Sequence, residues 1–521
     1  MVLISQFLFQ NLSKSVCNAY EEEYAIVLCT FIFIIIVSLY TWLVLIKRNQ
    51  YQLPPGPKGL PIVGSLPFLD PEIHCYFANL AKSYGPILSL KLGKVTCVVI
   101  SSPGLAHEVL KDHDVTFANR EIPDASRAIE YCGHDIAFTN YGPEWQMLRK
   151  VCVHHMLGNT TLVASYNLRR REMRSTIGYL YSQKGSSVNI GEQMFLTLLN
   201  VITSMLWGDT IQVEEREQVG TEFRQLVAEV TELLGKPNLS DFFPGLAWLD
   251  LQGIRKKMAM VIPRFDNIFD KLIGQRLGIE QFGVEKDFLQ VLLQLKNERD
   301  PKTPLTMHHV KALLLDMVVG GTDTTSSTVE FAMAELMNKP MLMKKAQQEL
   351  DTVVGSDTIV EESHIPKLPY LHAIVKEVLR LHPALPLLIP HRPSESCVVG
   401  GYTVPEGARV FVNAWAIHRD ATIWKKPLEF HPERFLNGNG DYSGKNFNYI
   451  PFGSGRRMCA GMAMAERMVM HSLASLLHSF DWELPAGENL DLSEKFGIVM
   501  KKRIPLVASP IPRLSGPAMY K

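Results

Sequence analysis

The chain has 521 residues, 46% of them apolar, and its 53 basic and 53 acidic side chains cancel to a formal net charge of zero. That balance leaves no electrostatic footprint for nucleic acid, and the apolar share is too high for a disordered chain. Eight cysteines (17, 29, 75, 97, 132, 152, 397 and 459) stand without a C-x-x-C pair, which fits a reducing compartment rather than a disulfide framework or a zinc knuckle.

Taken in chain order, residues 1–23 form a short leader ending in Glu21-Glu22-Glu23, with a sequon at Asn11-Leu-Ser13. Tyr24 to Ile46 is an uncharged run rich in Ile, Val, Leu and Phe. As a helix it would span roughly 34 Å, enough for a hydrocarbon core of about 30 Å. A cleaved signal peptide would have a shorter apolar region ending at small residues, whereas this one ends at Lys47-Arg48. The charge asymmetry puts residues 1–23 in the lumen and everything after the anchor in the cytosol, on an endoplasmic reticulum membrane. Residues 47–69 follow as a basic, proline-rich hinge, in which Leu53-Pro-Pro-Gly-Pro-Lys-Gly-Leu-Pro61 favours a stiff extended segment. Length alone would suggest about three domains, but no linker, charge block or repeat interrupts the remainder, so residues 70–521 read as one large domain.

Ile87 to Ile100 contains Leu88-Ser-Leu-Lys-Leu and Val95-Thr-Cys-Val-Val-Ile100 around Gly93-Lys94, a strand pair with a tight turn. Helical periodicity dominates afterwards, giving a mainly α protein with a small β part. Trp145 and Arg149, four apart, share a helix face. Cys152, His154 and His155 are too crowded for a standard zinc site and read as core. Thr306 to Asn338 reads as one long helix stopped by Pro340, with Gly320-Gly-Thr-Asp-Thr-Thr-Ser-Ser-Thr328 at its centre. Two glycines cost a helix roughly 2 kcal/mol against alanine, and the hydroxyls can bond back to carbonyls. Asp323 beside Thr324 places an acid and an alcohol together, a pair suited to proton delivery.

Lys376-Glu-Val-Leu-Arg-Leu-His-Pro383 sets Glu377 and Arg380 on one helical face; by itself E-x-x-R is a common surface ion pair. Pro383-Ala-Leu-Pro-Leu-Leu-Ile-Pro390 cannot be helical. Pro432-Glu-Arg-Phe435 adds Arg434. Last comes Pro451-Phe-Gly-Ser-Gly-Arg-Arg-Met-Cys-Ala-Gly461, directly before an apolar helix from Met462. A lone cysteine is usually a small buried hydrophobe. Cys459, however, lies at a helix N-terminus, where amides and the dipole lower a thiol pKa, and a single thiolate is how one class of haem protein holds iron. Phe452 would shield the sulfur, Gly455 and Gly461 would let backbone approach the porphyrin, and Arg457 could pair with a propionate.

The loop F-x-x-G-x-R-x-C-x-G matches at all five fixed positions and resembles the haem-binding loop of the cytochrome P-450 monooxygenases. Anchor, hinge, long helix, E-x-x-R, P-E-R-F and cysteine loop follow in that family's order from about residue 24 to 512. The resemblance implies the cytochrome P-450 fold, haem b held through Cys459, and electrons from NADPH through NADPH–cytochrome P-450 reductase, docking where Arg456 is exposed. It implies propionate contacts from Trp145, Arg149, Arg457 and His391 or its neighbour Arg392. Gly320, Asp323 and Thr324 fall on its oxygen-activating motif, and Glu377, Arg380 and Arg434 on its buried brace. Phe138, Val319, Leu387 and Ile498 are the expected apolar pocket, and residues 160–300 the substrate-access lid. Leu234-Gly-Lys-Pro-Asn-Leu-Ser-Asp-Phe-Phe-Pro244 is most similar to plant sesquiterpene hydroxylases, implying oxygen insertion from O2 into a C–H bond of a terpenoid. Hydroxylation of phenolics or flavonoids, isomerisation or dehydration of hydroperoxides, and non-catalytic haem carriage are the rival readings.

Overall fold

The computed structural model describes residues 30–35, 37–38, 52–208, 213–277, 287–298, 304–436, 438 and 440–521. The chain divides into two units, Met1–Leu53 and Pro54–Lys521. Of the first, the described residues 30–35 and 37–38 are helical and carry exposed Phe31, Ile32, Phe33 and Ile34. Asn11, the three glutamates, Lys47-Arg48 and most of the expected anchor 24–46 lie outside the described residues, among which no helix is long and apolar enough to cross a membrane.

In the second unit helices carry most of the core. The expected strand pair forms: Ile87–Leu92 runs antiparallel to Val95–Ile100, Ile87 opposite Ile100, with Gly93 at φ +57° making the turn. Arg409–Val412 then joins parallel to the second strand, Val98 opposite Val410, from more than three hundred residues away. The prolines from Pro54 onward lie within this unit. The backbone N–H of Ser89 donates to Pro55 O at 2.8 Å and its hydroxyl to Pro54 O at 2.6 Å. A segment poor in N–H donors but rich in carbonyls thereby covers the open edge of the first strand.

The long helix spans Met307–Asn338. Thr306 caps it by accepting from His309 N–H, while His309 Nδ1 accepts from Thr306 N–H. Its two central glycines serve different ends. A Cβ on Gly321 would stand 2.6 Å from Ile202 Cδ1, so its absence lets the helix Ile190–Trp207 pack closely, whereas Gly320 meets nothing within 4 Å. The hydroxyls bond back as expected, Thr322 to Val318 O at 2.9 Å, Thr324 to Gly320 O at 3.0 Å and Thr328 to Thr324 O at 2.8 Å.

A buried ion cluster ties this helix to the helix Pro369–Leu381 and the C-terminal strands. His382 Nε2 faces Glu335 Oε1 at 3.0 Å and Nδ1 faces Glu494 Oε1 at 2.6 Å, with Phe331 stacked on the ring. Both ring nitrogens donate, which requires the imidazolium. Burial lowers its pKa, but the two carboxylates outweigh burial and the net direction is up from 6.5. A raised folded pKa means this stabilisation is present below the unfolded value and lost as pH rises through the folded one. The thermal midpoint is therefore expected to fall between about pH 6 and pH 9, and His382→Gln to flatten that slope; calorimetry at both pH values checks it.

Candidate functional site

One cavity of about 380 Å³ lies between the long helix and the loop 451–461, a size typical of a small-molecule site. Cys459 opens onto it. The loop is shaped by its own backbone: Cys459 N–H donates to Phe452 O at 3.0 Å and Met458 N–H to Gly455 O at 3.2 Å. Gly455 sits at φ +69°, and a Cβ there would come 2.0 Å from Leu110 O. Its freedom brings the loop against Leu110 rather than opening space for a bound ring, a correction to the sequence reading. The helix Met462–Ser479 starts after Gly461, whose N–H lowers the pKa of the sulfur. Burial nevertheless pushes the Cys459 thiol up, against the lowering by that N–H and by Arg149. The helix terminus alone does not win, so a stable thiolate here needs a further positive charge beside it.

The same cavity gathers Arg120, Arg149 and Arg457, whose guanidiniums bond backbone carbonyls rather than carboxylates among the described residues. Arg149 Nη2 donates to Met458 O at 2.7 Å. Arg457 donates to Ala118 O at 2.5 Å, Ile136 O at 3.3 Å and Thr139 O. Arg120, buried, donates to Pro390 O at 2.9 Å and to Ile389 O, and its Nε has no partner among the described residues. Burial lowers all three guanidinium pKa values, Arg120 to about 9 with help from Arg457, and Arg457 to about 10 despite Asp135. Burial, Arg120 and Arg457 also hold His391 well below its usual value, its Nδ1 donating to Phe117 O at 2.7 Å. Arg392 is exposed, so of the two neighbours only His391 lines the cavity. Buried cations without counter-charge are costly, and two carboxylates on one flat molecule are the complement these residues lack. A thiol, an aromatic ring at Phe452 and this cationic wall fit haem.

Trp145 does not reach the cavity. Its N–H is spent on Ile136 O at 3.2 Å, and its ring lies under Arg149 and Arg457 at 5.5 and 4.4 Å. It therefore aims two guanidiniums that do line the cavity. The brace assembles: Arg380 donates to Glu377 Oε2 and Oε1 at 2.8 Å each, and Arg434 Nε to Oε1 at 3.0 Å.

Phe138, Val319 and Ile498 line the cavity as expected, with Gly320 and Thr324. Leu387 does not. The chain turns through Leu388 at φ +51°, closing Leu388 N–H onto Leu385 O at 3.1 Å. That turn buries Leu387 among Phe77, Leu88 and Leu90 and gives Leu385 and Leu388 to the cavity. Asp323 is also absent from the lining. Its Oδ1 pairs with Lys501 Nζ at 2.8 Å while Oδ2 is buried without a partner among the described residues. Sequence reasoning missed Arg120, Asp135 and Asp316. Asp316 had a signal, since 316, 320 and 324 fall on one helical face. It opens onto the cavity, and its Oδ2 accepts Ile136 N–H at 2.7 Å. Burial, then Asp135, raises its pKa well above the ordinary carboxyl value, which favours the uncharged form.

Comparison with known proteins now adds to the geometry. The family model described as cytochrome P450 matches residues 54–507. A flavonoid 3'-monooxygenase from Crocosmia x crocosmiiflora is 40% identical over 497 residues, covering 92% of this chain and 97% of the relative. A geraniol 8-hydroxylase from Swertia mussotii is 42% identical over 487 residues, covering 92% and 98%. A zebra fish cytochrome P450 solved with progesterone superposes with a TM-score of 0.74 at 27% identity, over 84% of this chain and 99% of that one. The expected sesquiterpene hydroxylase subgroup is not supported, since these relatives are named for flavonoids and geraniol.

Proposed function

The chain belongs to the cytochrome P450 family, and from that premise we propose a hydroxylase whose substrate is a small hydrophobic molecule already bearing a hydroxyl group, in the first place a phenolic of the flavonoid kind. Members of the family are monooxygenases that use haem b, with NADPH typically feeding electrons through a reductase. Plant relatives are typically anchored in the endoplasmic reticulum membrane, and residues 24–46 are the segment we assign to that task.

Asp316 carries the substrate reading. An uncharged carboxyl opening onto this cavity can donate to and accept from an alcohol or phenol. Against a sesquiterpene hydrocarbon it would be desolvated with no partner on that side, a cost of about 1–3 kcal/mol. The relatives named for flavonoids and for geraniol, an alcohol, point the same way. Asp316→Leu is expected to raise KM for a hydroxylated substrate roughly tenfold or more, as loss of one buried hydrogen bond implies. KM for the deoxy analogue should stay the same, and Asp316→Asn should keep most of the affinity. Equal effects on both substrates would overturn the assignment.

Haem would supply the oxygen-binding iron, with Cys459 as the residue that would hold it and Arg120, Arg149, Arg457 and His391 as the cationic complement to its carboxylates. The chain supplies the protons. Lys501, half exposed, meets solvent at one end and Asp323 Oδ1 at the other. Asp323 Oδ1 takes a proton from Lys501, and rotation of the carboxyl would carry it toward Thr324, whose hydroxyl rests on Gly320 O and lines the cavity. A rotation of that hydroxyl turns its proton from the carbonyl into the cavity. Asp323 thus works from behind the helix, and Thr324 alone meets the reactants. Thr324→Ala is expected to slow product formation by about a hundredfold while NADPH consumption continues and appears as hydrogen peroxide. Tight coupling in the variant would remove Thr324 from its role.

A further inference from the structure

Away from the cysteine loop, three imidazoles gather where the loop 130–139 meets the starts of the helices Pro143–Cys152 and Met307–Asn338. His134 Nδ1 stands 2.6 Å from Glu144 Oε1, and His309 Nε2 stands 2.9 Å from the same oxygen. His308 lies beside them, its ring 6.2 Å from that of His134 and its Nε2 3.8 Å from Glu130 Oε1. One ligand atom each from His134, Glu144 and His309 falls within 4.8 Å of the others, close enough for one ion to touch all three. We infer that His134, Glu144 and His309 form a zinc-binding clamp that fixes the loop 130–139 to the long helix.

The donor set chooses the ion. Two imidazole nitrogens and one carboxylate oxygen are the protein ligands of many zinc sites, with water completing the tetrahedron. Magnesium and calcium prefer oxygen cages and would gain little here. The three ligands also differ in mobility as a clamp requires. His309 is 8% exposed and fixed in the helix, whereas His134 and Glu144 are 45% and 42% exposed, so the ion has an entry from solvent. Binding has one internal opponent. His309 Nδ1 accepts from Thr306 N–H at 3.0 Å, so the ring proton sits on Nε2 and is donated to Glu144. Zinc at Nε2 moves that proton to Nδ1 and breaks the capping bond. Occupancy therefore releases no cap-independent energy from His309, and the exposed pair must bring the ion in first.

The consequence falls on the cavity. The loop contributes Tyr131, Cys132, Asp135, Ile136 and Phe138 to its wall, and Ile136 is also held by Asp316, Trp145 and Arg457. An ion at the rim would stiffen the wall that a substrate must pass, without touching the haem ligands.

The test uses tag-free, haem-loaded full-length protein stripped with chelator. Equilibrium dialysis against zinc is expected to give one ion per chain, with magnesium giving none. His134→Ala and Glu144→Gln should each weaken zinc binding about tenfold or more, and His154→Ala, at a separate histidine pair, should not. Amide exchange of residues 130–139 should slow when zinc is added to the wild type and stay unchanged in His134→Ala. Absence of zinc binding, unchanged zinc affinity in both variants, or zinc binding without slower exchange in the loop would each overturn the clamp. None of these readouts uses turnover, so they stand apart from the substrate assignment.

Discussion

Cys459→Ser is expected to yield folded protein whose reduced, carbon monoxide-treated spectrum lacks the absorption band of a thiolate-ligated haem and whose hydroxylase activity falls to background. Gly461 N–H and the Arg149 charge both favour the ionised sulfur without tying it to the rest of the fold, so an oxygen of similar size costs the fold little. It costs the metal site a great deal. A serine hydroxyl stays protonated where a thiol beside a metal ion is deprotonated outright, and the hard neutral oxygen is a poor match for haem iron. In the protein itself burial favours the neutral thiol. The cation that reverses this is therefore the iron, and pigment and thiolate should appear together. Cys97 and Cys152, both buried in apolar surroundings, should tolerate serine without any change in that band. A Cys459→Ser spectrum identical to wild type would mean the axial ligand lies elsewhere.

Sequence and structure agree best where spacing alone fixes geometry. The cysteine loop, the turn at Gly93, the shared face of Trp145 and Arg149, and the hydroxyl back-bonds of the long helix are set by residues within a few positions of one another. The failures lie where distant segments decide. Arg120 enters the cavity wall from an irregular loop and carries no spacing signal. Leu387 and Leu388 exchange places because Leu388 adopts a left-handed backbone, which a non-glycine residue gives no hint of. Arg409–Val412 finds its parallel partner across three hundred residues, and a four-residue strand is too short for a period to show. Substrate class was the hardest. A wall assembled from the loop 130–139, the long helix and the turn at Leu385 sets its chemistry by convergence, and single pocket contacts shift discrimination by only about 1–3 kcal/mol.

Glu377→Gln is expected to leave little or no haem-loaded protein, although it changes one atom far from any reactant. Glu377 and Arg380 are both completely buried. Arg380 spends its remaining donors on His418 O at 2.8 Å, Pro427 O at 2.7 Å and Glu429 O at 3.1 Å. Glu377 Oε1 also accepts His431 N–H at 2.8 Å and Arg434 Nε at 3.0 Å. One carboxylate thus bridges two guanidiniums and fixes the backbone from 427 to 434, the segment that leads into the cysteine loop. Glutamine keeps the shape but removes the charge and turns an amide N–H toward a guanidinium. Removing one partner of a buried pair typically costs about 3–5 kcal/mol, a large part of the roughly 5–15 kcal/mol that holds a domain folded. Arg434→Ala should be milder, because Arg434 is 11% exposed and its loss leaves the Glu377–Arg380 pair neutral. The expected order in thermal midpoint and haem content is wild type, then Arg434→Ala, then Glu377→Gln. If Glu377→Gln retained both at wild-type levels, the brace would be a bystander, and the cysteine loop would owe its shape to its own glycines and backbone hydrogen bonds.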